Sequence, residues 1–207
     1  DLGHAYSLSG DQKNADKQFN LAIEEAQKSP NFLLSVASKF YKLELYPHAL
    51  DMYRLLKERN PRGNYSFQIS NIYSYLGEIE NMYKELLNLM ISNKSYVQTC
   101  KNKIRITINE DSKNENNILL KKILISEIQK TDSIILNEML IWMFIQEVDF
   151  LNALKQEISI DRRNENRDKQ IFNLGEIAIS NSEFSIAQDA FNYIIEKKPQ
   201  SLYYQKS

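Results

Sequence analysis

The stretch LGEIAISNSEFSIAQDAFNYIIEKKP, residues 174–199, decides how this chain folds. Leu174, Gly175, Ala178, Ser182, Ala187, Phe191 and Ile194 stand at offsets 0, 1, 4, 8, 13, 17 and 20, and Pro199 closes the segment. Apolar and small residues recurring at three and four predict two amphipathic helices split by a short polar turn at Asn181-Ser182-Glu183. The same frame, 34 residues earlier, lands on Leu140, Ile141, Phe144, Val148, Ala153, Glu157 and Ile160. Nearer the N-terminus it returns as Leu2, Gly3, Tyr6, Gly10, Ala15, Phe19 and Ala22, then as Val36, Ala37, Phe40, Glu44, Ala49, Tyr53 and Leu56. A further copy reads Ile69, Ser70, Tyr73, Gly77, Met82, Leu86 and Leu89, one residue short of the period. Copies in phase define an internal repeat of helical hairpins. The small residues Ala15, Ala49, Ala153 and Ala187 mark where paired backbones should come closest.

Composition agrees with that pattern. Among 207 residues there are Gly 5 and Pro 4, so glycine is far below its usual ~7% and few turns can need it. An almost wholly helical chain follows. Pro30, Pro61 and Pro199 are expected in loops between hairpins, and Pro47 in the first turn of a second helix, where its missing N–H costs nothing. Lys+Arg 26 against Asp+Glu 27 leaves a net charge of -1, which offers no excess of cations to a polyanion, so nucleic acid is not an expected partner. No apolar run approaches the ~18 residues of a membrane span. Cys100 is alone, so it forms no intrachain disulfide and no thiolate metal site and is expected to pack as a small buried residue.

The repeat divides the chain into units at about 1–30, 31–62, 63–94, 95–131, 132–166 and 167–200, with 201–207 opening a further helix. The fourth is degenerate: helical pattern runs from Tyr96 to Ile108 and from Ile118 to Ile128, around a polar loop at 109–117. The chain opens at Asp1 in helical pattern, without an initiator Met or a leader, and is expected to be a piece of a longer protein.

The period and its residues resemble the tetratricopeptide repeat family, through Leu2-Gly3, Tyr6, Ala15, Phe19 and Ala22 and through Leu174-Gly175, Ala187, Phe191 and Pro199. The resemblance implies an all-α, right-handed superhelical solenoid of antiparallel hairpins, a single stack of about six repeats. The text around Asn64 to Gln68 with Tyr73 and Gly77, and the run Asn137 to Glu157, is also similar to long repeat proteins of flavobacteria and their relatives. That likeness implies a bacterial protein of the periplasm or cell envelope, with the cytoplasm as the alternative.

In the family, set positions of the first helix of each unit line a concave groove. Carried onto this chain they give His4 in the first unit and Leu34, Ser38, Tyr41 and Lys42 in the second. Phe67, Asn71 and Tyr75 follow in the third, Glu138, Trp142 and Gln146 in the fifth, and Phe172 and Glu176 in the sixth. Rings and amides alternating along such a face suit an extended peptide. The competing reading is that Phe67, Phe172 and Trp142 seal one hairpin against the next. Leu34 and Ser38 occupy positions where one subclass carries a carboxylate clamp, so a receptor for chaperone tails is disfavoured.

The titratable residues form no catalytic or metal-binding pattern in the sequence. His4 and His48 lie in no two-ligand helical spacing. His48 reads as a solvated or capping side chain in a first helical turn. Phosphate loops and nucleophile elbows are missing. Lys101, Arg105 and, less closely, Lys94 share a helical face that could take a weak anionic partner, but a solvated face is the favoured reading, since Glu110, Asp111, Glu115 and Glu127 lie among these cations; Asp161-Arg162-Arg163 and Arg167-Asp168-Lys169 read as mixed-sign surface between hairpins. The expectation is a non-catalytic scaffold with no cofactor or metal, binding a protein or peptide through its concave face. A structural part of a multi-protein envelope or secretion complex is the alternative.

Overall fold

The computed structural model describes residues 2–61, 63–131, 133–163, 166–197 and 199–206; Asp1, read as already helical, lies outside them. Among the described residues there are twelve α-helices and no strand, so the fold is the all-α assembly of antiparallel hairpins expected from the repeat. The chain forms two compact units, residues 1–97 and 98–207.

Unit 1 holds three hairpins: α1 (Leu2–Leu8) with α2 (Gln12–Ala26), α3 (Pro30–Lys42) with α4 (Tyr46–Arg59), and α5 (Ser66–Tyr75) with α6 (Ile79–Ser92). Each hairpin packs on the next through its second helix, α2 on α3 and α4 on α5. A 3₁₀ turn at Lys94–Tyr96 follows. Pro30 is not in a loop as expected: its fixed φ starts α3. In unit 2, α7 (Val97–Arg105) is followed across the polar loop by α8 (Glu115–Lys130), which packs on the next helix. The hairpins α9 (Ile134–Gln146) with α10 (Phe150–Asp161) and α11 (Asp168–Ser180) with α12 (Phe184–Lys197) are close. Residues 199–206 run as turns and bends.

Five of the hairpin turns share one geometry. Gly10, Glu44, Gly77, Val148 and Ser182, all at offset 8 of the repeat, have φ of 82°, 59°, 74°, 58° and 64°. After each, the next backbone N–H reaches back five residues, Asp11 to Tyr6, Leu45 to Phe40, Glu78 to Tyr73, Asp149 to Phe144 and Glu183 to Ala178, every one at 2.9 Å. That is a Schellman closure, which satisfies a helix-end carbonyl and reverses the chain in one step. Asp11 and Asp149 then cap the following helix by accepting from the N–H groups of Asn14 and Asn152.

Packing between the two helices of a hairpin follows an inverse-volume rule. Gly3 lies under the ring of Phe19, and Gly175 under that of Phe191; a Cβ on either glycine would meet the ring at 2.6 Å. Sixteen residues separate the partners in both cases; Ala37 and Tyr53, which stand at the same two repeat positions, are both buried. Ala15, Ala49 and Ala153 have no exposed surface and Ala187 almost none, as the repeat anticipates.

The polar loop after α7 is largely exposed but is anchored at its end. Asn117 is wholly buried, donates to the Asn109 carbonyl at 2.7 Å and accepts from its N–H at 3.2 Å. Asn116 donates to the Thr107 carbonyl at 2.9 Å, and Asn114 caps α8. The asparagines tie the loop down, so α8 begins at Glu115 instead of Ile118.

Val148 is β-branched and holds a left-handed φ at an exposed site, a conformation that costs about 1–2 kcal/mol. Val148→Gly is expected to raise unfolding stability by about 1 kcal/mol in urea denaturation, and Gly77→Val to lower it by a similar amount.

Candidate functional site

The first helices of the hairpins carry the residues singled out for binding, and the structure treats them unequally. In unit 1, Tyr41 near the end of α3 meets Tyr75 at the end of α5, and Tyr46 from the start of α4 joins them. The Tyr46 and Tyr75 rings stack at 4.7 Å with 4° between their planes, and Tyr41 meets both edge-on at 6.0 and 6.1 Å. Tyr75 is 61% exposed. Burial, then the adjacent Tyr75 hydroxyl, push the Tyr41 phenol up to about 12, so it stays a neutral donor at any physiological pH. Tyr46 was not among the expected residues, because proximity of a turn to the next hairpin's helix end is not visible in one unit's pattern.

Around this cluster Leu34 and Lys42 are exposed and Phe67 and Asn71 half-buried. Ser38 is tied to the Tyr53 hydroxyl at 3.2 Å. His4 is half-buried on α1, away from any metal-binding group. His48, read as solvated or capping, instead lies against Phe19 and Phe40 with ring centres at 5.4 and 5.3 Å. The first turn of α4 faces the preceding hairpin, and the imidazole packs against two phenyl rings that themselves meet edge to face at 5.6 Å.

In unit 2, Trp142 on α9 is half-buried, with the Lys101 ammonium and the Arg105 guanidinium from α7 each 5.7 Å from its ring centre, within the ~6 Å range of cation–π attraction. Gln146 is half-buried one turn further on and Glu176 exposed on α11. Phe172 is corrected by the structure: it is buried, with Phe191 at 5.4 Å and Tyr203 at 5.2 Å, and seals the last hairpin instead of facing a partner.

The largest departure from expectation is at Asp161, Arg167 and Asp168, read as surface and found buried. Arg167 donates through Nε and Nη2 to both oxygens of Glu157, at 2.8 and 3.2 Å, and through Nη1 to Glu138 at 2.8 Å. Its backbone N–H donates to Asp161, whose other oxygen accepts from the Tyr193 hydroxyl at 2.8 Å. Burial holds Glu157 above the usual carboxylate range despite Arg167, with Glu138 and Asp161 adding to the rise. Burial would lower Arg167, but the two carboxylates together outweigh it and raise it. One cation thus serves a cluster of acids, and Glu138 is occupied by it. The signal was present in the repeat: Glu157 fills the offset that elsewhere holds Phe19, Tyr53, Leu86 and Phe191, and a buried carboxylate in an apolar slot demands a cation.

Among the described residues no group of three His, Cys, Asp or Glu could hold a metal ion, and no helix is long and apolar enough to cross a membrane. Cys100 is fully buried, and burial pushes its thiol up to about 11.

No model of a known protein family matches this sequence, and no curated protein matches it. Solved structures that it resembles include a tetratricopeptide repeat protein from Parabacteroides merdae, at 15% identity and a TM-score of 0.33, over 92% of this chain and 88% of that one. At that score the fold assignment rests on the chain's own hairpins.

Two outcomes follow. Arg167→Met strands a buried carboxylate and is expected to cost about 3–5 kcal/mol at pH 7. Because Glu157, already raised, would rise further and take up a proton in the folded state, that deficit should shrink as pH falls toward ~4, which urea denaturation at the two pH values would measure. Cys100 should resist a thiol reagent in the native protein and react fully in denaturant, since the thiolate is the reactive form.

Proposed function

We propose that this chain is a non-catalytic scaffold that binds a peptide or partner protein through the first-helix faces of its hairpins. The observation that carries the reading is the Tyr41–Tyr46–Tyr75 cluster. Three rings from three successive helices are held in fixed mutual geometry, and Tyr75 leaves most of its surface to solvent. Tyrosines supply large amphipathic area with little conformational freedom to lose, the property that makes them anchors of recognition. Leu34 and Lys42 on α3 and Asn71 on α5 extend the same helices with apolar, cationic and amide groups suited to an extended backbone. Recognition by pre-positioned side chains needs no bond to be made or broken, and the hairpin turns supply the rigidity.

A second reading, a structural part of a larger assembly in the bacterial envelope, draws support from α8. Ile118 and Ile125, two turns apart on that helix, are exposed beside Phe144, and an apolar stripe of this kind suits a protein contact. Light scattering that returns the mass of a single chain at high concentration would remove self-assembly from that reading.

The scaffold reading is tested by panning a displayed peptide library against the protein. Peptides enriched on the wild type are expected to bind at least about tenfold more weakly to Tyr41→Ala/Tyr75→Ala, a loss of ~1.4 kcal/mol or more, with helicity unchanged by circular dichroism. Equal binding to both proteins would remove the tyrosine cluster from the interface.

A further inference from the structure

Unit 2 carries two cations that are bonded to no carboxylate among the described residues. Lys101 and Arg105 stand four residues apart on α7, so their side chains share one face. Each lies 5.7 Å from the centre of the Trp142 ring. Among the described residues neither makes an ion pair, whereas Lys121 bonds Glu147 at 2.7 Å and Arg167 bonds both Glu157 and Glu138. Glu138 stands one turn before Trp142 on α9 and acts on Lys101 through space, but its carboxylate is bonded to Arg167. Burial holds Lys101 below the usual lysine range, Glu138 opposes that, and Arg105 adds to it. The ammonium therefore stands partly desolvated, beside a second cation, with the Trp142 ring against it and the Glu138 charge, shared with Arg167, acting from further off.

The spacing selects the occupant. Side chains four apart on a helix lie about 5–6 Å apart at Cβ, and alternate residues of an extended chain about 6.6 Å apart on one face. Two acidic side chains flanking one other residue would thus meet Lys101 and Arg105 together, with the stem of one resting on the indole. A polyphosphate backbone fits less well: two open cations would release only about two counterions, and the chain as a whole has a net charge of -1.

We infer that the Lys101–Arg105–Trp142 face binds an extended acidic segment of a partner protein, with a carboxylate at every second residue. The inference rests on the scaffold reading and adds to it the charge of the peptide and a second place of binding, separate from the tyrosine cluster.

Trp142 is the single tryptophan of the chain, so its fluorescence reports this site alone. The probe is a blocked pentapeptide with glutamate at its second and fourth positions and no aromatic residue, and the control has glutamine at both. A saturable change in Trp142 emission is expected with the glutamate peptide, at least about tenfold weaker with the control, and weakening with added salt as exposed charges are screened. Lys101→Gln/Arg105→Gln should lose the response, while Tyr41→Ala/Tyr75→Ala should keep it. No saturable response to the glutamate peptide, an equal response to the control, or insensitivity to salt would each overturn the proposal, as would saturation by anionic vesicles or an oligonucleotide in place of the peptide. Should the double glutamine variant fail to fold, the salt series and the control peptide on wild-type protein still decide. Loss of the acidic site with library peptides still dependent on Tyr41 and Tyr75 would refute this inference alone; the reverse result would refute the tyrosine site alone.

Discussion

The left-handed residue at the hairpin turn is the constraint on which the rest of the structure depends. A single positive φ, closed by an N–H that reaches back five residues, fixes where the second helix starts and how it returns along the first. Once that return is set, a residue sixteen positions on arrives over the first helix, and its volume must complement what it meets. Phe191 over Gly175 and Phe19 over Gly3 are the two solutions with no side chain beneath the ring. Two of the five turns use glycine. Glu44, Val148 and Ser182 accept the same φ with a side chain, so the geometry is imposed by the packing of the helices as much as by local preference.

Glu157 shows what happens when the complement is broken. A carboxylate in the slot of a phenyl ring cannot be solvated, and the chain answers with Arg167 from the loop before α11, held by three side-chain bonds. The link joins α9, α10 and the approach to α11. It also engages one oxygen of Glu138, so the charge that Glu138 turns toward Lys101 is shared with Arg167. A structural repair within the core and the electrostatics of the nearby surface are thus one arrangement.

Much of the fold could be read from residues alone because the repeat is carried by side-chain volume, and volume is a local property of each position. The alanines at the helix contacts and the five turn positions were legible for that reason. The burial of Asp161 and Arg167 was not, since a mixed-sign run looks the same whether water or a partner satisfies it, and only the oddity of Glu157 distinguished the two. His48 shows a related limit: a first-turn position is solvated in an isolated helix and packs against rings when another hairpin stacks there. Of the binding candidates, Tyr41 and Tyr75 converge, while Phe172 is consumed by packing. The sequence pattern names the face of a helix but not how much of that face the neighbouring hairpin covers.

The sixteen-residue offset between packed partners has a bearing on how the chain reaches this state. Most close packing joins helices that follow one another along the chain, so the loops to be closed are short and their entropic cost is low. Topologies of that kind belong to the fast end of the range of folding rates. A hairpin can form before its neighbours exist and then serve as the surface on which the next one orders. The hazard is of the same origin: copies spaced by 34 residues offer one another's partners as substitutes, and the first and last hairpins, which share the Gly-under-Phe pair, are the most interchangeable in this respect.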